Sequence, residues 1–433
     1  MHSGADKPQL SIAIIGAGIS SLTLARALLK HTHLTVRIYE ARTLVGQHDG
    51  SGVGIAANGQ KALKMIDPEL LECLRWAGGV ENVPTVKFLL EGKSERGVLI
   101  TEVVSDPPQR TVRRSRLLEE LRLLLPKEMI KTGKRLISIE QRDGRERAIS
   151  LTFEDGEVVL VDAVVGADGI NSFVRQHMSD DGDGSSEPKW IPGFNTRIVI
   201  PMDEAKSIFG EAYCSQSTQI GWIGQDLFCL TDVEDDGNAM QIIASFKVNE
   251  PDEETHGKAF VQVEKEFWTS KLQSRGWIGQ KISQVIEGQD MVYASCFRRH
   301  DGIPLYSKGR LCLAGDAASS FSPALGAGAS QAIEDALILS TVLGHASEPA
   351  DLERAFKVYE DIRRPRRERV AMESNKQGAK ITGQLPGVGL DLDKLAKALQ
   401  EPYDYLFTYD LDRAVNEATR RMTVTNSLFD SSN

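Results

Sequence analysis

Cysteine is scarce in this sequence. It has five cysteines in 433 residues, and no pair of them has the close spacing of a zinc site or of a redox-active pair. This scarcity excludes a disulfide-stapled scaffold and indicates a reducing compartment, which we expect to be the cytoplasm. Cys312 lies within an apolar run, so we predict that it is a small residue of the core.

Two other absences limit the kinds of partner. The 51 basic residues are outnumbered by 61 acidic ones, so the chain lacks the basic excess typical of nucleic-acid-binding proteins. It also lacks an apolar run of about 20 residues, the length that crosses a bilayer. The first predicted strand begins near Leu10, so we expect no signal peptide. We therefore predict a soluble protein with no nucleic-acid or membrane partner.

The apolar segments are divided by turns into strands and helices. Residues 10–40 have the pattern strand, helix, strand. Further strands are predicted within residues 136–165 (with turns at 143–144 and 155–156) and 190–250, and helices at 60–78, 112–125, 255–287 and from 329 onward. The small, acidic segment 179–188 is predicted to be a linker.

The first glycine-bearing turn has the form of a dinucleotide-binding site. The sequence GAGISS at residues 16–21 follows an apolar run and opens the first predicted helix. Gly16 supplies the tight bend, and Gly18 lets a pyrophosphate approach the free N–H groups of the helix start. Glu40, at the end of the second strand, is placed to accept hydrogen bonds from ribose hydroxyls. The motif predicts a dinucleotide without deciding which one.

A second glycine-bearing turn lies about three hundred residues later, with the sequence GRLCLAGDAA at 309–318 and PALGAG at 323–328. Asp316 ends a short buried strand and can form hydrogen bonds with ribityl hydroxyls or with a water beside the pyrophosphate. The segment at 323–328 opens a helix whose N-terminus would stabilise the negative charge of a reduced flavin. One long cofactor needs separate contacts for its two halves, so the two turns together predict FAD.

A third motif, GADG at residues 166–169, ends a strand and precedes a helix. In this order and spacing the motifs resemble those of the single-component FAD-dependent aromatic hydroxylases, which include salicylate hydroxylase and 4-hydroxybenzoate hydroxylase. Residues 52–58 resemble that family's loop beside the flavin. Residues 113–117 resemble a pattern whose arginine, Arg114 here, approaches the flavin. Residues 405–410 are similar to the aromatic-rich end of the salicylate hydroxylase branch.

The resemblance implies an α/β fold. We expect a Rossmann-like FAD-binding domain of the 4-hydroxybenzoate hydroxylase type, an inserted substrate domain with an antiparallel sheet, and a helical C-terminus. The boundaries assigned are 9–78, 110–180 and 294–345 for the first, 79–109 and 181–293 for the second, and 346–433 for the third. The basic run 363–369 is predicted to be a solvated helix start that in part contacts acidic residues of the FAD-binding domain. We expect a monomer or a homodimer.

The same resemblance places the cofactor-binding residues. They are Gly16, Gly18, Ser20, Glu40, Arg42, Gly54, Arg114, Asp168, Asp316, Pro323, Gly326, Ala327 and Gly328. In the family the segment that matches residues 166–169 serves both FAD and the nicotinamide donor. His48, His177 and His300 have no partners at metal-ligand spacing, so we predict no metal site.

The resemblance also implies the reaction. FAD is reduced by NADPH or NADH, which docks transiently, and then reacts with O2 to form a C4a-hydroperoxide that hydroxylates a small aromatic substrate. A positive group beside the substrate oxygen would favour the more nucleophilic phenolate. Arg197, on a predicted strand, is our candidate for this group, with an exposed strand arginine as the alternative. Trp222, Phe228 and Phe246 are candidates for the pocket wall or for the core.

Departures from the family's pattern leave the substrate open. Ser319 stands where His is common, Ala324 where His, Phe or Met is common, and Leu230 where an aromatic residue is common. The alternatives are a flavin-dependent epoxidase, a Baeyer–Villiger-like oxygenase, a halogenase or an oxidase, in some cases on a larger natural product, or a non-catalytic binding protein with the same fold. Intact Asp168 and Asp316 argue against the last of these.

Overall fold

The structure is a computed structural model that describes residues 9–43, 52–92, 97–141, 149–179, 187–247, 260–300, 302 and 305–424. The expected turn at 143–144, most of the expected linker at 179–188 and the start of the helix expected at 255–287 lie outside these ranges. The described strands are β1 (Leu10–Ile15), β2 (Leu34–Glu40), β3 (Gly52–Ile55), β4 (Val80–Asn82), β5 (Val86–Leu90), β6 (Val98–Val103), β7 (Gln109–Arg113), β8 (Ile130–Thr132), β9 (Leu136–Gln141), β10 (Ile149–Phe153), β11 (Val158–Val161), β12 (Ala163–Gly166), β13 (Lys189–Trp190), β14 (Phe194–Pro201), β15 (Gln219–Gly224), β16 (Leu227–Glu234), β17 (Ala239–Phe246), β18 (Phe260–Gln262), β19 (Tyr293–Ser295), β20 (Arg298–Arg299), β21 (Ser307–Lys308) and β22 (Leu311–Leu313).

The helices connect and cover these strands. They are α1 (Ile19–Leu28), α2 (Ala57–Ile66), α3 (Pro68–Trp76), α4 (Arg114–Leu123), α5 (Phe173–Met178), α6 (Met202–Phe209), α7 (Glu211–Cys214), α8 (Lys265–Leu272), α9 (Gly276–Glu287), α10 (Gly328–Leu343), α11 (Pro349–Ile381), α12 (Leu392–Phe407) and α13 (Leu411–Thr423). The helix predicted at 60–78 is two helices, because Pro68 begins α3 and the Asp67 side chain caps it. The helix predicted from 112 starts only at Arg114, since the residues before it pair with β3.

A mostly parallel sheet carries the nucleotide-type motifs. Within the described residues its order is β21-β22-β12-β1-β2-β8, and only the edge strand β21 runs antiparallel to its neighbour. Helices α1 and α10 pack in the same apolar core as this sheet. The carboxyl ends of parallel strands meet at one edge, and ligands bind there in open α/β sheets. The topology therefore brings the turns after β1, β12 and β22 together.

A second sheet has a mainly antiparallel character. Among the described strands its order is β18-β19-β14-β17-β16-β15-β5-β6, with β15 and β5 as a parallel pair. Helices α6, α8 and α9 share a separate apolar core with it. β4 pairs with β7, and β7 with β3, in a small sheet beside the large one, so residues 80–82 do not join the large sheet. The α/β class with an antiparallel second sheet and a helical C-terminus is confirmed.

The predicted solvated helix start at residues 363–369 is wrong. These residues lie in the middle of α11, and Arg363, Arg366 and Arg367 are fully buried. They form ion pairs with Glu334 and Asp335 of α10. The expected contact with acidic residues therefore exists, but it lies in the core, where charges need partners. None of the helices described here is long and apolar enough to cross a membrane.

Candidate functional site

The glycine-bearing motifs meet at the carboxyl edge of the parallel sheet. Gly16 has a φ of +96°, and a Cβ there would lie 2.6 Å from the Ala167 carbonyl oxygen, so only glycine fits between the first and middle motifs. A Cβ on Gly315 would lie 3.2 Å from Ser20 Cβ, so the last motif packs on the start of α1. The Arg175 guanidinium donates to the carbonyl oxygens of Ala317 and Ile170 and ties the last two motifs together.

The start of α1 has the features of an anion site. Gly18 is its N-cap and provides no side-chain capping bond, so N–H groups of the first turn are available. A Cβ on Gly18 would meet open space. The buried Ser20 hydroxyl has no hydrogen-bond partner among the described residues. A buried orphan polar atom beside exposed helix N–H groups fits the pyrophosphate of a dinucleotide.

Glu40 lies beside this turn, at the end of β2. Its carboxylate accepts hydrogen bonds from the backbone N–H groups of Ala17 at 2.8 Å and of Arg42 at 2.9 Å. Four lone-pair sites on a carboxylate leave capacity for ribose hydroxyls. The exposed Arg42 lies two residues after the end of β2, and its role in cofactor binding stays a prediction.

Two alanine substitutions separate the structural role of this turn from its binding role. Gly16→Ala is expected to lower the free energy of unfolding by about 2 kcal/mol or more, because of its positive φ and the backbone clash. Gly18→Ala, with negative φ and open space around its Cβ, is expected to leave the melting temperature of the flavin-free protein nearly unchanged but to lower FAD content. Thermal unfolding and flavin absorbance measure both effects; equal melting temperatures for the two variants would contradict this interpretation.

Asp168 has hydrogen-bond partners within its own motif and at the start of α5. Its carboxylate accepts from the Ser172 hydroxyl at 2.5 Å and from the backbone N–H of Phe173 at 2.8 Å, which is the geometry of a cap on α5. Burial raises the pKa of Asp168, and these hydrogen bonds oppose the shift. Its Cα would lie 2.9 Å from a Cβ on Gly16. Asp168 thus holds the loop against the first turn, and direct binding of a cofactor by its carboxylate stays a prediction.

A cavity of about 580 Å³ extends from the second glycine-bearing turn to the large sheet. Six of the predicted site residues line it, namely Gly54, Arg197, Asp316, Pro323, Gly326 and Gly328. Ala327 is buried behind the lining at the start of α10. A Cβ on Gly326 or on Gly328 would meet open space, and α10 has no side-chain N-cap. The N-terminus of α10 is therefore open to a flat ligand that binds in the cavity.

Asp316 faces this cavity. Its side chain is accessible from the cavity, although protein surrounds it closely. Burial therefore raises the pKa of the Asp316 carboxyl, and the charges of Arg367 and Arg114 oppose this. The predicted site residue Arg114 is thus within electrostatic reach of Asp316, and its role in cofactor binding stays a prediction.

The loop between Asp316 and α10 is held from below by α11 and from the side by His300. The Arg367 guanidinium donates to the carbonyl oxygens of Gly315 at 2.8 Å and Ser319 at 2.6 Å. The Ser374 hydroxyl lies 2.5 Å from the Ser322 carbonyl oxygen. His300 Nδ1 accepts from the Ser320 N–H at 3.1 Å. A loop fixed at so many points can present its backbone to a ligand without reorganising.

The large sheet forms the floor of the cavity. Arg197 on β14 and Leu230 on β16 lie on either side of Ile243 on β17. Both line the cavity, as do Phe228, Phe246 and Ala324. Trp222 does not line it; its indole N–H lies 3.3 Å from the Tyr213 hydroxyl within the apolar core. Of the three positions that depart from the family's pattern, Leu230 and Ala324 touch the cavity, whereas Ser319 supports the loop.

Sequence inspection missed a polar part of this floor. Gln219, Asp232 and Gln241 are neighbours on successive strands and line the cavity. Asp232 accepts from Gln219 Nε2 at 2.7 Å and from the Thr111 hydroxyl at 2.8 Å. Burial raises the pKa of Asp232 to about 6, against the effect of these hydrogen bonds. The alternation of residues 228, 230 and 232 along one strand was the available signal, since every second residue shares a face.

These features together fit FAD. The uncapped α1 start, the Ser20 hydroxyl and Glu40 suit the ADP half, while the open glycines before α10 and Asp316 suit the flavin half. No cluster of metal-ligating side chains is found in the described ranges. All five cysteines are buried as free thiols.

Comparisons with known proteins agree with this fit. Residues 298–374 match the family described as FAD binding domain. The chain is similar to a 6-methylsalicylate 1-monooxygenase of Aspergillus terreus, with 30% identity over 95% of this chain and 92% of the relative. It is also similar to the salicylate hydroxylase of Pseudomonas putida, with 28% identity over 96% of each chain. A solved salicylate hydroxylase substrate complex has the same fold, with a TM-score of 0.81 at 23% identity over 95% of this chain and 98% of the other. The chain therefore belongs to the FAD-dependent monooxygenase family that includes salicylate hydroxylase.

Proposed function

We propose that this monooxygenase hydroxylates an aromatic ring with O2, using NADH or NADPH as a transient electron donor. The observation that carries the proposal is the cavity that joins the flavin cradle at Asp316 and Gly326 to a sheet floor with Arg197. Its relatives include a 6-methylsalicylate 1-monooxygenase and a salicylate hydroxylase. When bound, FAD supplies the activation of oxygen, and the protein supplies orientation and exclusion of water.

The residues of the cavity divide this work. Arg197 binds the ionised oxygen of the substrate and stabilises the phenolate form, which is the better nucleophile. Phe228, Leu230 and Phe246 pack on the ring and keep water from it. The loop after β22 and the start of α10 hold the flavin half of the cofactor, and the α1 turn holds the ADP half. We extend the proposal to the predicted site residues Arg42, Arg114 and Asp168 in supporting roles.

Leu230 and Ala324 favour a substrate other than salicylate itself. Both are smaller than the residues common at these positions in the resembled family, and both line the cavity. Smaller side chains in the cavity wall leave space that an added ring substituent can fill, because binding favours close packing. We further propose that the enzyme works in the cytoplasm as a monomer or homodimer; its five buried free thiols are compatible with a reducing compartment.

The test is NADH and NADPH oxidation by FAD-loaded protein with and without a panel of salicylates, phenols and larger hydroxylated arenes. We expect one class of arene to stimulate oxidation at least about 10-fold, with a product one oxygen atom heavier. Stimulated oxidation that yields only hydrogen peroxide marks a non-substrate effector. Oxidation that no arene stimulates, with flavin bound, would contradict a substrate-gated hydroxylase.

A further inference from the structure

The cavity floor has a second polar part that the proposed function does not use. Gln241 on β17 lies opposite Asp232 on β16, and Gln219 on β15 donates a hydrogen bond to Asp232. All three residues line the cavity. The neighbouring cross-strand row contains Arg197 and Leu230. The polar residues Gln241, Asp232 and Gln219 therefore lie next to Arg197 and Leu230 on the same face of the sheet.

The hydrogen bonds of Asp232 leave one of its oxygens with capacity to accept. Thr111 Oγ1 and Gln219 Nε2 lie 2.8 and 2.7 Å from Oδ2, whereas Oδ1 has Asn82 Nδ2 at 3.3 Å. A carboxylate has about four lone-pair sites. Asp232 is buried in the cavity wall, with 1% of its surface exposed, and Oδ1, with one long hydrogen bond, is the oxygen with more capacity for a further donor.

The ionised carboxylate is a cost to folding. Burial raises the pKa of Asp232 to about 6 from an unfolded value of 3.8. The unfolded chain therefore loses this proton first as the pH rises, so stability falls between these two pH values and stays lower above them. An amide of the same size would avoid this cost. The hydrogen bonds from the neutral groups of Thr111, Gln219 and Asn82 offset this cost only in part, so a further donor from a bound substrate would stabilise the carboxylate.

The distance between Asp232 and Arg197 suits one aromatic ring. Two inter-strand spacings of about 4.8 Å separate the strands that carry them, and the shift along β16 from Leu230 to Asp232 adds about 6.8 Å at right angles. Their Cα atoms are therefore about 12 Å apart. Arg197 is exposed and Asp232 is buried in the wall of the same cavity, so one substituted ring with a polar group at each end suits this separation.

We propose that Asp232 is a specificity-determining residue, whose carboxylate accepts a hydrogen bond from a ring hydroxyl opposite the group that Arg197 binds. This proposal rests on the proposed function and narrows its substrate class to aromatic acids or phenols that carry a second, neutral hydroxyl. A hydrogen bond to a buried carboxylate discriminates strongly against a ring without the donor, because a ring with an apolar group at that position leaves the carboxylate one partner short.

Equilibrium binding tests this without turnover. FAD-loaded protein is titrated, without a nicotinamide donor, with a salicylate that bears a second hydroxyl para to its phenolic oxygen, which is the oxygen assigned to Arg197, and with the methyl ether of that second hydroxyl. The flavin absorption change is followed. At neutral pH we expect the hydroxyl compound to bind at least about 10-fold more tightly. Asp232→Asn is expected to reduce this preference to less than about 3-fold. Asp236→Asn, an exposed residue of the turn after the same strand, is the control and should retain it.

A pH series on the unaltered protein gives a second readout that does not need a folded variant. The preference should fall as the pH is lowered through about 6, where the Asp232 carboxyl becomes protonated. The residues that face it from β4, β7 and β15 are the neutral Asn82, Thr111 and Gln219. The charged group nearby is Glu234 on the same strand, which Arg113 holds at 2.8 Å.

The outcomes distinguish this proposal from the function on which it rests. A hydroxyl preference that depends on Asp232 and on pH, without NADH or NADPH oxidation, contradicts the hydroxylase function but supports Asp232 as a binding residue. Hydroxylation of either ring with equal affinities, unchanged by Asp232→Asn and by pH, overturns the role of Asp232 and leaves the hydroxylase function intact.

Discussion

Asp335→Ala is expected to lower the free energy of unfolding by about 3–5 kcal/mol, the largest stability effect that we expect from a single substitution in this protein. Asp335 accepts hydrogen bonds from Arg363 Nε at 2.8 Å, Arg367 at 2.7 Å and the Gly315 backbone N–H at 2.9 Å. The carboxylate and both guanidinium groups are fully buried. Removing the carboxylate leaves two buried positive charges short of a partner and a buried N–H without an acceptor.

The same substitution should weaken FAD binding, because the network supports the loop that carries Asp316. Arg367 also donates to the carbonyl oxygens of Gly315 and Ser319. Without Asp335, one of the groups that orient Arg367 is lost, and the loop after β22 loses its anchor at Gly315. We expect flavin occupancy of the folded variant to fall several-fold, which fluorescence of released flavin against protein absorbance measures.

The second carboxylate of the network, Glu334, is also held in its ionised form by the arginines around it. Burial alone would raise the pKa of Glu334, yet Arg363 and Arg366 bring it down to about 2. Asn58 Nδ2 also donates to this carboxylate at 2.6 Å. Glu334 is therefore ionised throughout the ordinary pH range, and the cluster is a set of compensated charges.

A matched control is available on the same helix. Glu368→Ala removes one of the acidic partners of Arg364, in an ion pair whose two side chains are 34% and 52% exposed. An exposed pair contributes at most about 1 kcal/mol. Melting temperature and urea midpoint of the FAD-loaded proteins provide the comparison. A loss in Asp335→Ala no larger than in Glu368→Ala would show that the buried network is not a support of the fold.

Local sequence patterns sufficed for the parts of the site that depend on short-range structure. A strand, a glycine turn and a helix follow one another within residues 10–28, so their periodicities indicate Gly16 and Gly18 directly. The same holds for Asp316 after β22. The βαβ rules then place Glu40 near the first turn, because parallel neighbours align their carboxyl ends.

The polar floor and the buried arginines depend on long-range pairing instead. Asp232 is 150 residues from Asn82 and 121 from Thr111, and its face of the sheet is defined only by strand order. Arg363 and Arg366 form a basic run whose surroundings in the sequence are those of an exposed helix. The packing of α11 on α10 brings Glu334 to these two arginines. This contact places part of the basic run in the core.

Arg197→Ala is expected to lower kcat/KM for the stimulating arene by about 10- to 150-fold while FAD content stays unchanged. The reason is the loss of a charge-assisted hydrogen bond to the substrate oxygen, which contributes about 1.5–3 kcal/mol. Arg197 lies on β14, on the cavity side of the sheet and away from the α1 turn, so the cofactor keeps its own contacts. Steady-state kinetics and flavin absorbance provide the two measurements.

Charge and shape at this position can be separated with a second substitution. Arg197→Lys keeps the positive charge but replaces the planar, forked guanidinium with a single ammonium group, so we expect a loss between those of the alanine variant and the unaltered protein. Lys87→Ala is the control, since Lys87 lies on the same sheet in a partly exposed pair with Glu102 at 3.1 Å. Parallel loss of FAD and of turnover in Arg197→Ala would identify Arg197 as a structural residue. Unchanged turnover in Arg197→Ala would show that Arg197 does not bind the phenolate. The positive group would then have to come from another part of the cavity wall, which Arg299 also lines.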